Sequence, residues 1–556
     1  MQKTIEQLVL DALAAAVADG DLALSATPEP SVERPRDPAH GDWATTIPLR
    51  LARELGRSPR EIAEIIAARI AQSEQIAAVE VAGPGFINLR LSNAALQQLI
   101  RDAREQGEAF GRADVGQGQT INVEWISANP TGPMHVGHGR WAALGSALSN
   151  VLTHANWQVT REFYINDAGN QMDIFGLSVA LRYLELFGRP IEMPDDCYGG
   201  SYIIDIARGI ADEDGERWLD ADENERLIHM RERGYRLMLD NMTDFLERIG
   251  VHFDTWFSER SLYCKDATTG ASPLDETLAT LDAGGYLYKE DGATWFRTTD
   301  FGDDKNRVLI KADGSYTYFA PDIAYHLNKF ARGSECLIDI WGADHHGYIP
   351  RMMAACEALG HAGRLRVLLG QLVNLFRGGE VVRMSKRTGE MVTFEELVDE
   401  VGADATKYLM LARSTDQTID FDIEVAKKQD ASNPVYYVQY AHARICSLLR
   451  KAEEREPLAL DTADLSLLVE AAELDLARVF GKMSEVVEGA ARDLAPYRLT
   501  HYAEELATSF HSFYTRCQVI GDDRAKTCAR LYLADATRSV LALVLKLLGV
   551  SAPERM

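Results

Sequence analysis

Apolar residues recur at helical spacing from the very start of the chain. The segment MQKTIEQLVLDALAAAVADGD interleaves them with acids and reads as an amphipathic helix. Ser58-Pro59-Arg60-Glu61 has the form of a capping box with proline in the first turn. It opens a second helix, whose Ile62, Ile65, Ile66 and Ile70 fall on one face. Residues 79–91 then read as strand-turn-strand around Gly83-Pro84-Gly85. Residues 1–115 are therefore expected to form a small α+β unit, ending in a glycine-rich polar stretch, residues 107–118, that suits a linker.

Strand and helix periods alternate over residues 119–430, the pattern of a parallel α/β sheet. A strand at 121–126, a Pro/Gly loop, a helix at 136–155 and a strand at 159–165 make one βαβ unit. The charged stretch 172–281 reads as a helical insertion between two halves of the sheet, and residues 336–341 and 367–376 as later strands. From Asn433-Pro434 onward the pattern is almost wholly helical. Val438, Ala441, Ile445, Leu448 and Leu449 make one stripe, and residues 531–548 carry another. The expected fold class is α/β: a Rossmann-like nucleotide-binding catalytic domain at 119–430 with an inserted helical segment at about 172–281, a small α+β N-terminal domain at 1–115, and a C-terminal α-helical bundle at 431–556.

A chain of 556 residues is too long for one core, which agrees with this division. Its seven cysteines show no CxxC spacing and are expected to be free thiols of a reducing, cytoplasmic compartment. The N-terminus lacks the basic start and cleavable apolar run of a signal peptide. The apolar run 540–550 contains Lys546 and is too short to span a bilayer, so no membrane partner is expected. A net charge of −26 argues against bulk attraction to nucleic acid, yet local basic tracks are enough to hold an RNA.

The strongest chemical signal is SANPTGPMHVGHGR, residues 127–140. Pro130, Gly132 and Pro133 turn the chain at a strand end, and a helix begins at the histidines. Its unpaired N–H groups and dipole suit an anion. Gly137 would let a flat ring or a phosphate approach the backbone, and His135 and His138 could donate to phosphate oxygens. A pair of capping histidines is the plain alternative. A metal pair is disfavoured, because HExxH is absent and no Cys/His partner lies at zinc spacing. The second signal is Arg383-Met384-Ser385-Lys386-Arg387-Thr388-Gly389, a cationic loop able to swing a point charge onto a leaving pyrophosphate. Alone it reads as a solvated basic run.

Taken in order, the two segments resemble the HIGH and KMSKS signatures of class I aminoacyl-tRNA synthetases. VEWISANPTGPMHVGHGR, TREFYINDAGNQ, YTYFAPDIAYHLNKF, WGADHHGYIPR, RMSKRTGE, NPVYYVQYAHARICSLLRKA and LLGVSAPERM extend the resemblance to bacterial arginyl-tRNA synthetases over essentially the whole chain. Arg383 and Arg387 depart from the usual loop, leaving Lys386 in the second-lysine role. The resemblance implies that arginine attacks the α-phosphorus of ATP to give arginyl-adenylate, and that the arginyl group then passes to the 2′ hydroxyl of the terminal adenosine of tRNA(Arg). It implies Mg²⁺ across the phosphates, tRNA present before activation, and a monomer. It assigns His135, His138 and Lys386 to catalysis, with Pro130, Gly132, Gly137, Met384 and Ser385 also at ATP.

For L-arginine the resemblance points to Asp322 as the guanidinium-binding acid, Tyr318 as its packing partner, and Glu124 and Asn129 at the α-amino group. A fixed fork of donors is best met by a carboxylate. Helix capping by Asp322 and an outward-facing Glu124 are the alternatives. Asp344 and His345, followed by His346, stand after a strand end and are assigned to substrate or adenosine contact in preference to a metal, with plain loop packing as the alternative. For tRNA the assignments are Tyr437, Tyr440 and Arg444 at the anticodon, Phe86 and Asn88 at the D-loop, and the terminal Met556. Tyrosines at helical spacing are otherwise core. Two rivals remain: another class I synthetase, which if it served an apolar amino acid would have no use for an acid at Asp322, and an RNA-binding paralog without activity, which would not need His135, His138 and Lys386.

Overall fold

The computed structural model describes residues 1–382, 392–457 and 459–556. At the N-terminus, α1 (Gln2–Ala18) buries Ile5, Val9, Leu13 and Ala16, the stripe expected from the sequence. Four strands follow, β1 (Val32–Glu33), β2 (Trp43–Thr45), β3 (Ile76–Ala82) and β4 (Phe86–Leu91), in the antiparallel order β1-β2-β4-β3. Between β2 and β3 lie α2 (Ile47–Leu55) and α3 (Pro59–Ile70), and Ser58 caps α3 with Glu61 as its reciprocal partner. Helix α4 (Asn93–Glu105) turns its apolar face to the C-terminal helices. The stretch expected as a linker is packed: Phe110 is buried, and its carbonyl lies 3.0 Å from His154 Nε2.

The second region begins with β5 (Thr120–Glu124), α5 (Val136–His154) and β6 (Gln158–Ile165). Three helices then fold together, α6 (Asn170–Leu186), α7 (Ser201–Asp214) and α8 (Glu223–Arg248), before β7 (Thr255–Ser258) pairs with β6. The expected insertion is thus a helical crossover, and its last part returns a strand to the sheet. Next come α9 (Pro273–Ala283) and an antiparallel sheet of β8 (Leu287–Glu290), β9 (Ala293–Phe296) and β10 (Arg307–Ile310). The periodicity missed these four-residue strands, which are too short to show alternation. Then follow α10 (Phe319–Ala331), β11 (Cys336–Gly342), α11 (Ile349–Ala358) and β12 (Leu365–Gly370).

The main sheet has five parallel strands in the order β12-β11-β5-β6-β7. Residues 367–376, read as one strand, are two. Strand β12 ends at Gly370, and β13 (Val373–Arg377) starts another sheet with β14 (Glu380–Val381) and β15 (Ile419–Asp422). Between them stand α12 (Phe394–Val401) and α13 (Ala403–Leu411). Arg140 of α5 is buried and donates to the carbonyls of Gln371 and Ser414, each at 2.8 Å, which ties α5 to this second sheet. Helix α5 also lies very close to the strand beneath it. A side chain at Gly145 would place Cβ 2.2 Å from the Trp125 indole.

After the short α14 (Ile423–Ala426), helix α15 (Pro434–Arg455) starts at Asn433-Pro434, as the sequence predicts, and buries Val438, Ala441, Ile445 and Leu448. Helices α16 (Ala471–Phe480), α17 (Met483–Arg492), α18 (Tyr497–Arg516) and α19 (Arg524–Leu547) complete the bundle. Ion pairs Arg34–Glu485, Arg478–Asp42 and Arg104–Asp535 join the N-terminal region to it.

Candidate active site

The order of the main sheet reverses between β5 and β11, and a ligand crevice forms where neighbouring parallel strands are followed in opposite directions. There a cleft of about 1570 Å³ is lined by the ends of β5 and β11, the starts of α5 and α10, and residues 197–202 at the start of α7 and just before it. Among the sequence-assigned residues, Glu124, Asn129, Gly132, His135, His138, Tyr318, Asp322, Asp344 and His345 line it. Pro130 is buried and does not line it, and neither does Gly137. Met384, Ser385 and Lys386 lie outside the described residues, as do Arg383 and Arg387.

His135 occupies the N-cap of α5, and its backbone N–H donates to His138 Nδ1 at 3.1 Å. The capping alternative is therefore realised in a site that also faces the cleft. Because Nδ1 accepts, a neutral His138 carries its proton on Nε2. The two imidazoles stack at 3.7 Å. Gly137 was expected to admit a ring or a phosphate, and the ring beside it belongs to His135: a Cβ at Gly137 would sit 2.8 Å from that imidazole. Beyond residues 383–391, Thr393 bridges to His135, and the Phe394 N–H donates to the Met134 carbonyl at 2.8 Å.

The floor of the cleft is a charge cluster. Glu124 is buried, unlike the outward-facing alternative, and accepts from Ser127 Oγ at 2.8 Å and Lys329 Nζ at 2.5 Å. Lys329 also donates to Asp339 at 2.8 Å, and the other Asp339 oxygen lies 2.7 Å from His326 Nε2. Burial opposes the charge on Lys329, but Asp339 and Glu124 outweigh it and raise the ammonium above its ordinary value. Burial likewise would raise Asp339, which Lys329 and His326 hold low.

Asp322 sits in the first turn of α10, whose N-cap position is Tyr318, so it is not the cap. Its carboxylate accepts from the Tyr348 hydroxyl. Burial pushes the carboxyl up to about 6, with Glu124 and Asp339 acting the same way and Tyr348 and His326 opposing. Glu259, just after β7, is a second acid on this wall. It is 7% exposed and accepts from Tyr263 at 3.1 Å. Burial raises its carboxyl too, with Asp322 adding to the effect. The backbone holding it is fixed by Asp167, which accepts from Ser258 Oγ at 2.6 Å and Arg260 N at 3.1 Å. Tyr318 is 81% exposed at the mouth. Asn129 donates to Gln171 at 2.7 Å, and the exposed Asp344 and His345 stand 3.6 Å apart.

Sequence reasoning missed Lys329, His326, Asp339, Tyr348 and Glu259. A signal existed for part of the set: Asp322, His326 and Lys329 fall at i, i+4 and i+7 on one face of α10, among apolar neighbours. Glu259 has no such spacing.

The residues assigned to tRNA lie away from the cleft lining. On β4, Phe86 is half-buried and Asn88 buried, opposite the face that carries Ile87 and Leu89. On α15, Tyr437 is half-buried, and the core alternative does not hold for Tyr440, which is 39% exposed and stacks on Tyr436. Arg444 lies over Tyr514 at 4.2 Å. Burial and Arg444 lower the neighbouring His511 imidazole to about 4. Met556 is exposed at the end of a tail held to α15 by His442 and Gln439. Among the described residues no helix is long and apolar enough to cross a membrane, and no group of three or more His, Cys, Asp or Glu is arranged to hold a metal. Mg²⁺ keeps most of its waters and binds through substrate phosphates, so it needs no such cage.

Three family models match the chain. The one described as arginyl tRNA synthetase N terminal domain covers residues 3–91. That for tRNA synthetases class I (R), catalytic domain, covers 100–187 and 220–446, and that for the DALR anticodon binding domain covers 438–556. The chain is 47% identical over 555 residues to an arginine–tRNA ligase of Oceanobacillus iheyensis, with 99% of both chains covered. It is 46% identical over 556 residues to that of Bacillus subtilis, again with 99% of both covered. The fold is that of Thermus thermophilus arginyl-tRNA synthetase, with a TM-score of 0.76 over 100% of each chain at 23% identity.

Proposed function

The chain belongs to the arginyl-tRNA synthetase family, and from that premise we infer how its residues divide the work of an arginine–tRNA ligase. It attaches L-arginine to tRNA(Arg) at the expense of ATP, through arginyl-adenylate, with release of AMP and pyrophosphate. The arginine carboxylate forms a bond to the α-phosphorus as the bond to the pyrophosphate oxygen breaks. Such a transfer is catalysed mainly by positioning and by neutralising developing charge.

The reading of the site rests on one observation: two acids, the half-buried Asp322 and the buried Glu259, face a cleft whose other wall is the N-terminus of α5. The guanidinium lodges between these acids, with Tyr318 closing over it. Glu124 and Asn129 receive the α-ammonium, which sets the arginine carboxylate toward α5. The ATP phosphates lie against Gly132 and the N-terminus of α5, where His138 Nε2 and His135 donate to oxygens that gain charge. Lys386 neutralises the departing pyrophosphate, and Mg²⁺, which would be held through the ATP phosphates, would supply further positive charge there. Asp344 and His345 meet the substrate at the mouth.

Residues 1–115 form the additional tRNA-binding domain, with Phe86 and Asn88 toward the D-loop. Residues 119–430 form the catalytic domain. Residues 431–556 form the anticodon-binding domain, with Tyr437, Tyr440, Arg444 and Met556 on the RNA side. The enzyme acts as a cytoplasmic monomer. ATP–pyrophosphate exchange with each amino acid, with and without tRNA(Arg), tests the reading. Exchange is expected with arginine alone and only when tRNA is present, and exchange driven by another amino acid would overturn it.

A further inference from the structure

The lysine under the cleft is held too deep to meet a substrate. Lys329 has no exposed side-chain surface, and Asp339 beside it has none either. Strand register sets them together, because Asp339 of β11 is the pairing partner of Glu124 of β5. The Lys329 ammonium bridges those two carboxylates, at 2.5 and 2.8 Å. His326 completes the set from the same face of α10. Its Nδ1 lies 2.7 Å from the Asp322 carbonyl and its Nε2 2.7 Å from Asp339, both acceptors, so each nitrogen carries a proton. Two cations therefore balance Glu124 and Asp339, and the ring of Tyr325 covers Lys329 at 4.4 Å.

The other side of Glu124 is held as firmly. Ser127 Oγ donates to Oε1 at 2.8 Å and accepts the Tyr164 N–H at 3.1 Å. Ser127 and Ile126 both adopt positive φ, +46° and +68°, a conformation a β-branched residue rarely takes. The chain keeps this strain at the point that puts the Ser127 hydroxyl on Glu124. Each Glu124 oxygen thus spends one lone pair on the protein, which fixes the plane of the carboxylate and leaves the remaining pairs for a cation in the cleft.

We propose that Lys329 is a positioning residue for arginine recognition, which orients Glu124 to receive the substrate α-ammonium without touching the substrate. The proposal rests on the assignment of Glu124 to that group. The probe is the ratio of affinities for L-arginine and for 5-guanidinopentanoate, the same molecule without the amino group, measured by calorimetry on the full chain. Loss of an oriented charge-assisted hydrogen bond lowers this ratio by about ten-fold or more. Glu124→Gln is expected to collapse it. Lys329→Met is expected to do the same with ATP affinity retained. Removing one partner of a buried ion pair destabilises the fold, so Lys329→Met with Asp339→Asn, which restores neutrality, is measured beside it. A collapsed ratio in this double variant supports the proposal. A wild-type ratio there, with Glu124→Gln collapsed, overturns it and leaves Lys329 a counterion for Asp339 only. A wild-type ratio in Glu124→Gln overturns the assignment of Glu124 and the proposal together.

Discussion

Replacing Asp322 with asparagine removes one charge from the cleft wall and keeps an oxygen for the Tyr348 hydroxyl. The effect on stability has a defined sign. An acid held near 6 in the folded chain against an ordinary 3.8 has its ionised form destabilised by about 3 kcal/mol. That group's contribution to stability is intact below 3.8, falls as the pH rises through the interval from 3.8 to 6, and is lost above it. Asparagine does not titrate. The ligand-free Asp322→Asn variant should therefore exceed the wild type by up to about 3 kcal/mol at pH 8, an advantage that shrinks as the pH falls through that interval. Arginine reverses the order. Without the carboxylate the guanidinium loses its charged partner, and affinity should fall by about 100-fold or more, so arginine stabilises only the wild type. Thermal unfolding between pH 5 and pH 8, with and without arginine, reads both effects, and a shift of this size moves the midpoint by several degrees. Equal ligand-free midpoints at pH 8 would refute the account of the carboxyl's raised pKa, and undiminished arginine affinity would refute the guanidinium assignment.

Lys386→Ala should depress adenylate formation by about 100-fold or more while ATP and arginine affinities change little, as expected for a contact made in the transition state. Equal losses in rate and in binding would count against that role. Gly145→Ala should lower stability by about 1–3 kcal/mol despite the better helix propensity of alanine, because its methyl group meets the fully buried Trp125. An unchanged melting curve would show that α5 can move away from β5. Tyr440→Ala with Arg444→Ala should weaken tRNA(Arg) binding about ten-fold with ATP binding intact, since stacking and cation–π contacts supply roughly 1–3 kcal/mol. A melted bundle would instead assign these side chains to the core.

Much of the fold was legible in short-range pattern. The stripe of α1, the capping box at Ser58, the strand-turn-strand around Gly83 and the start of α15 at Asn433-Pro434 all depend on residues within a turn or two of each other. Helix caps and apolar periods are local properties, and the sequence states them outright. It also put His135 and His138 at a helix start after a strand, where the cleft lies. The same locality explains the failures. The short β7 was hidden in helical surroundings, and the apolar run 367–376 did not show that Gly370 ends one sheet and Val373 begins another.

The joining of the charge cluster across elements belongs to the tertiary structure. Glu124 and Lys329 are 205 residues apart, and no spacing announces that they touch. Their meeting follows from the parallel register of β11 on β5 and from α10 laying His326 and Lys329 over the pair. Glu259 reaches the same wall because β7 closes the opposite edge of the sheet and Asp167 grips the residues on either side of it. The sequence determined which groups exist and on which element each stands. Only the packed sheet decided which charges are buried together, because burial turns carboxylates that are unremarkable in water into an oriented site for a cation.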